Sequence, residues 1–274
     1  MVLYAVENAI IIAVVLTFIF AACRKYVNKY RVVIYAIALV FAAYIICSNL
    51  IGYDPIISGT LLQTFTLGAL ANILFAVVAY IGVLPDKWKV TRRLKGVRAE
   101  LSVTACIFAF AHTLYFSYYF IDFFTDPGSL EGYYQYACIA SLILDCLMVP
   151  LMLTSFYSVR KFIKAKTWKR LQQFSYVFYL ALLLHVWGLY AESWGTFGSG
   201  DGKTLLYYTV IWVVYYVLRI VKYVYDRWAK NAKAKGKAEP AAASPAGEPA
   251  EAVEAVEAPA EAAEAEAAEA GASR

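Results

Sequence analysis

Residues 136–190 read YACIASLILDCLMVPLMLTSFYSVRKFIKAKTWKRLQQFSYVFYLALLLHVWGLY. Two apolar runs flank a short loop crowded with Arg160, Lys161, Lys164, Lys166, Lys169 and Arg170. A helix of about 20 apolar residues, rising ~1.5 Å per residue, matches a hydrocarbon core of roughly 30 Å and satisfies its own backbone hydrogen bonds there. The stretch reads as two membrane-spanning helices joined by a basic loop.

Working outward, the same pattern recurs at 4–22, 32–52, 62–84, 101–121, 136–159, 171–190 and 204–223, which predicts an all-α integral membrane protein with seven transmembrane helices. The chain has 274 residues, 62% of them apolar and 16% charged, with a mean hydropathy of +0.58. A soluble domain has about 45–50% apolar and about 25% charged residues, so a soluble enzyme is excluded. The expected divisions are two N-terminal helices over 1–60, a membrane core over 61–224, and a tail over 225–274, basic at first and then rich in Ala, Glu and Pro. The tail lacks the apolar groups to bury a core and is expected to be disordered.

The loops sort by charge. One set carries Arg24, Lys25, Lys29 and Arg31, then Lys87 to Arg98, then Arg160 to Arg170, and ends in the basic stretch after Arg219. The opposite set carries Glu7, Asp54, Asp122, Asp126, Glu131, Glu192 and Asp201, with Lys203 as its only base. Basic loops stay cytoplasmic, which places the N-terminus outside and the C-terminus inside. The formal charge of +5 is then topology charge facing anionic lipid headgroups, not a sign of nucleic-acid binding. The first span has Glu7 near its start and Arg24-Lys25 after its end, which is an anchor pattern and not that of a cleaved leader. Cys23, Cys47, Cys106, Cys138 and Cys146 have no metal-site spacing and read as small apolar residues.

The only two histidines, His112 and His185, both fall inside spans. Ionisable groups there are costly and point to function. Counted from the basic ends of their helices, His112 sits roughly 18 Å deep and His185 roughly 21 Å deep. Two imidazoles on two helices at one level suit axial ligation of a haem iron. Ala109, Ala181 and Gly188, one turn from the histidines, would leave room for a flat macrocycle. Core histidines satisfied by backbone or hydroxyl groups, with small residues serving close helix packing, fit the same pattern. Asp145, the other charge inside a span, lies at a similar depth. It reads either as a group that hydrogen-bonds a ligand imidazole or takes a proton, or as a protonated buried side chain. Arg98, Glu100 and Arg219 read as boundary residues that snorkel or anchor, and most of the 23 tyrosines as an interfacial belt.

A more specific set of residues runs from Arg92-Arg93-Leu94-Lys95-Gly96 into the His112 span. It continues at Pro150-Leu151-Met152-Leu153-Thr154-Ser155, then a basic loop, then Trp168-Lys169-Arg170-Leu171, Tyr176 and His185-Val186-Trp187. From about residue 69 to 190, roughly 45% of the chain, this resembles the ferric reductase-like transmembrane domain superfamily. That group includes the membrane haem subunit of the periplasmic methionine sulfoxide reductase system and, more distantly, the NADPH oxidases. The resemblance implies that His112 and His185 are the axial pair of a b-type haem. The family's other histidine on the second helix, thirteen positions before the distal one, falls on Gln172, so one haem is expected at most. One helix more than the usual six-span core precedes it.

The resulting expectation is a cytochrome b-type protein of the bacterial plasma membrane. It would take electrons from a membrane quinol or a separate donor protein, with a quinone as a second cofactor in the first case. It would pass them to an extracytoplasmic acceptor or to a flavin, haem or molybdenum redox protein. The rival expectation is a haem-free transporter or sensor, with Asp145 and the histidines forming a polar pathway.

Overall fold

The computed structural model describes residues 2–52 and 59–238; Asp54 and the tail from residue 239 onward lie outside them. Among the described residues there are helices and turns but no strand. The α-helices are α1 (Val2–Ala22), α2 (Arg24–Lys29), α3 (Arg31–Ile51), α4 (Gly59–Thr66), α5 (Ala69–Val83), α6 (Lys89–Lys95), α7 (Arg98–Tyr115), α8 (Ser117–Thr125), α9 (Gly132–Leu153), α10 (Tyr157–Arg160), α11 (Ala165–Leu189) and α12 (Gly200–Ala238).

Among the described residues, α1, α3, α9 and α12 are long and apolar enough to cross a membrane. The pairs α4–α5 and α6–α7, bent by 57° and 51°, raise the number to six if each pair is one span. These helices make the chain a multi-pass membrane protein. The expected span at 171–190 covers all but the first six residues of α11. It falls outside the set because Gln172, Gln173 and His185 dilute its apolar run. The polar residues that make this helix interesting also mask it as a span. The fourth span also differs from expectation: its helix stops at Tyr115 and α8 begins after Phe116.

The expectation of disorder from residue 225 needs correction. α12 continues to Ala238, because its last two turns are rich in Ala and Lys, both strong helix formers. Residues 226–238 belong to a unit separate from the one that ends at Tyr225.

Within the first unit, α5 is the central helix. Nearly all of it is buried, with Leu70, Leu74 and Ile81 at 2% exposure or less. A helix that is apolar all round belongs inside a bundle. α1 packs on α4 and α5 through Ala5, Ala9 and Ala13, each 0% exposed. That four-residue spacing puts three small side chains on one face and lets the backbones approach closely. On the outside, Phe18, Leu39, Val40 and Val217 are exposed, as expected of surfaces that meet lipid and not water.

α9 and α11 form the most extensive helix pair. Pro150 lies in the last turn of α9, and the hydroxyls of Thr154 and Ser155 donate to the carbonyls of Pro150 (2.9 Å) and Leu151 (2.8 Å). The Leu151 carbonyl, which the helix end would leave open, is satisfied in this way, while the Pro150 carbonyl also accepts the Thr154 N–H at 3.0 Å. α11 then fastens onto this end: Trp168 Nε1 donates to the Thr154 carbonyl at 3.1 Å and Gln172 Nε2 to Thr154 Oγ1 at 3.0 Å. At the opposite end, the Tyr136 hydroxyl donates to the Leu184 carbonyl at 3.0 Å. Each such bond contributes about 1 kcal/mol; together they fix the level of α11 against α9, and with it the height of His185.

Candidate functional site

His112 from α7, His185 from α11 and Asp145 from α9 line one cavity, with Asn72 and Phe75 of α5 and Ala5 and Val6 of α1 in its walls. A second cavity adjoins it, shares both histidines and Ser141, and is otherwise rimmed by aromatic side chains including Tyr119, Tyr133, Tyr134 and Tyr190. Their volumes are about 100 and 280 Å³, each below the roughly 300–1,000 Å³ of small-molecule and cofactor sites, so a macrocycle would need both cavities and some movement of the side chains between them.

Each histidine is held through the same ring atom. His112 Nδ1 lies 2.6 Å from the Thr66 carbonyl, the last residue of α4. An imidazole with a carbonyl on Nδ1 carries its proton there and keeps the Nε2 lone pair. His185 Nδ1 lies 3.5 Å from Ser141 Oγ on α9. A carbonyl behind the non-ligating nitrogen is a usual support of a metal-binding histidine, since it fixes ring orientation and tautomer; the Ser141 hydroxyl, which can donate or accept, steadies the His185 ring without selecting its tautomer.

The bend between α4 and α5 serves His112 directly. Gly68 has φ +70°, and a Cβ built on it would lie 3.0 Å from His112 Cγ. Only glycine takes this left-handed conformation at low cost and also lets the backbone run against the imidazole face. The bend thus aims the Thr66 carbonyl at Nδ1 while Gly68 makes room for the ring.

Asp145 accepts from Thr113 Oγ1 at 3.5 Å, the outer limit of a hydrogen bond. It is half-buried and shares the cavity with both histidines. Of the small residues expected around the histidines, Ala109 lines the cavity. Ala181 packs against the apolar core instead. Gly188 faces Tyr136, whose ring occupies the space a Cβ would need, so its smallness serves the α9–α11 contact. Thr66, Gly68, Asn72, Thr113 and Ser141 were not anticipated. The Thr-Leu-Gly triplet at 66–68, inside an otherwise apolar run, was the available signal for the first two. Nothing local marks the others.

Two imidazoles from α7 and α11 that border the same two adjoining cavities fit the donor chemistry of a bis-histidine haem. Among the described residues, no group of three or more His, Cys, Asp or Glu side chains is placed to hold a bare metal ion; a haem iron needs only two protein ligands.

Residues 67–183 match the family described as ferric reductase like transmembrane component. That stretch is similar to a ferric reductase-like transmembrane domain and runs from the α4–α5 bend to Leu183, just short of His185. The chain is also 29% identical over 204 residues to an uncharacterized protein of Treponema pallidum (strain Nichols), covering 73% of this chain and 56% of that protein. It thus spans about half the length of the curated relative it matches. No solved structure matches.

Proposed function

We propose that this ferric reductase-like domain holds one b-type haem between His112 and His185 and carries electrons across the outer part of the membrane to an extracytoplasmic acceptor. The observation that carries the reading is the pair itself: two histidines from α7 and α11 on one cavity, each supported through Nδ1. Bound there, haem supplies one-electron transfer at a potential set by its ligands and surroundings. The chain's residues do the rest. Thr66 and Ser141 fix the two rings, Gly68 admits the His112 face, and Ala109 leaves room beside it. Asp145, steadied by Thr113, is placed to take up the proton that leaves a quinol when it is oxidised.

The topology that suits this role has seven spans, with α11 as the sixth, the N-terminus outside and the C-terminus in the cytoplasm. The sorting of the loops by charge supports it. The donor is a membrane quinol or a separate protein docking on the basic face; the acceptor is a small oxidant or a flavin, haem or molybdenum protein outside. A dithionite-reduced minus oxidised spectrum of the purified chain, with haem quantified, tests the reading: the expected result is a low-spin b-type signal at about one haem per chain. Folded protein from a haem-replete host that carries none would overturn it in favour of a haem-free transporter or sensor built on the same polar residues.

A further inference from the structure

A third cavity, of about 450 Å³, lies at the basic end of the bundle, between α5, α7, α9, α11 and α12. Arg98 and Arg219 are half-buried in it, and Arg160 and Lys169 are exposed at its mouth. Arg98 begins α7, and Arg219 lies roughly 28 Å along α12 from Gly200, at the far boundary of a hydrocarbon core. The inner wall is apolar: Phe75, Met148 and Phe178.

The charge of this cavity is uncompensated. Among the described residues the one ion pair is Lys95–Asp86; Arg98, Arg160, Lys169 and Arg219 have no carboxylate within ion-pair distance. They are held instead by neutral groups. Arg98 Nε donates to the Val78 carbonyl at 3.1 Å. Arg160 stacks 4.2 Å from the Trp168 ring centroid, and Arg219 lies over Tyr176 and donates to its hydroxyl. Glu100, two residues after Arg98, is buried and does not line the cavity. A fifth lining cation, Lys95, is neutralised by Asp86; the other four have no carboxylate beside them and repel one another unless a ligand brings negative charge. No histidine lines the cleft, and Gln172 stands where the family resemblance puts one, so a second haem has no ligand here.

We infer that this cleft binds the phosphate of an anionic phospholipid, with the lipid's apolar part against Phe75, Met148 and Phe178. Guanidinium groups hold phosphate oxygens in two-point contacts, the amides of Gln172 and Gln173 add donors, and basic pockets between spans at a membrane boundary suit such headgroups. The inference does not depend on haem.

Native mass spectrometry of the full chain, delipidated and then offered equal phosphatidylglycerol and phosphatidylcholine, tests it. Wild type should retain the anionic lipid preferentially, and Arg160→Gln with Lys169→Gln, at the exposed mouth, should weaken retention about fivefold per cation removed. Arg98→Gln should do the same, with helical content and melting temperature checked to confirm folding. Lys25→Gln with Lys89→Gln removes equal charge from the same end but away from the cleft and should change nothing. Equal retention of both lipids, equal loss in the two double variants, or a phosphate ester without acyl chains retained from cells in place of lipid would each overturn the assignment.

Discussion

The histidine cavities and the basic cleft sit one above the other on the same helices, divided by Phe75, Met148 and Phe178, which line both sides of the partition. Phe75 and Phe178 meet edge to face there, ring centroids 4.8 Å apart. α7 and α11 each supply one position per level: His112 and His185 above, Ala99 and Gln172 below, each thirteen residues earlier in the chain (112 − 99 and 185 − 172); below, only α11 supplies a polar side chain. The scaffold is shared and the chemistry is not. Imidazoles suit a metal; an amide and four arginine or lysine side chains suit a phosphate. On these two proposals, side chains at a few register positions, and not the helix framework, would decide what each half of the bundle holds.

The most direct way to break that division is to remove the histidines. His112→Ala and His185→Ala should each abolish haem retention, measured as haem per folded chain, while Gln172→Ala should leave it unchanged. Retention in either histidine variant would reject the axial pair, and loss in Gln172→Ala would mean that the lower level helps hold the group. Next in size is a gain. Gln172→His alone should leave the count at about one, since an imidazole there lacks a partner. Combined with Ala99→His it should raise the count toward about two and abolish retention of anionic lipid. A second haem gained by Gln172→His alone would sink the idea that Ala99 is the vacant partner.

The upper level was legible because histidine inside an apolar run is rare and expensive, so two of them at equal depth narrowed the candidates. What supports them was not. Thr66 lies 46 residues from His112, and Ser141 lies 44 from His185; such pairs are set by the bend at Gly68 and the level of α9 against α11, which no local pattern reveals. Of the seven runs read as spans, four helices and two bent pairs are long and apolar enough to cross among the described residues; 171–190, diluted by Gln172, Gln173 and His185, is not among them. The small residues misled in part. Ala109 opens the cavity, whereas Gly188 makes room for Tyr136 and Ala181 packs into the core, because small residues serve helix packing as readily as ligands. The basic cleft was hidden for a different reason: Arg98 and Arg219, read singly, look like ordinary boundary residues, and only the fold gathers them with Arg160 and Lys169.

A smaller effect sharpens the upper half. Gly68→Ala forces an L side chain into the left-handed region, at about 1–2 kcal/mol, and sets a methyl 3.0 Å from the His112 ring. The variant should melt lower. It should also shift the haem potential or band position, because the ring must turn and its bond to the Thr66 carbonyl lengthen. Loss of stability with an unchanged spectrum would reduce Gly68 to a simple bend residue.

The smallest effect belongs to the lower half and depends on pH. Asp86, in the α5–α6 loop, bonds Lys95, which also lines the basic cleft; that bond and the Lys95 charge hold the Asp86 carboxyl below its ordinary value. A carboxyl lowered in the folded state contributes stability above its unfolded value, about 3.9. That contribution fades as pH falls through the lowered folded value. Asp86→Asn should therefore melt slightly below wild type at neutral pH, with the gap closing in acid. It also frees a fifth cation at the cleft, so retention of phosphatidylglycerol should rise at pH 7, by less than the about fivefold expected for a fully engaged base, because the pair is exposed and screened. A fall in retention would mean that Lys95 needs Asp86 to reach the cleft, and the uncompensated set would then be the four cations alone.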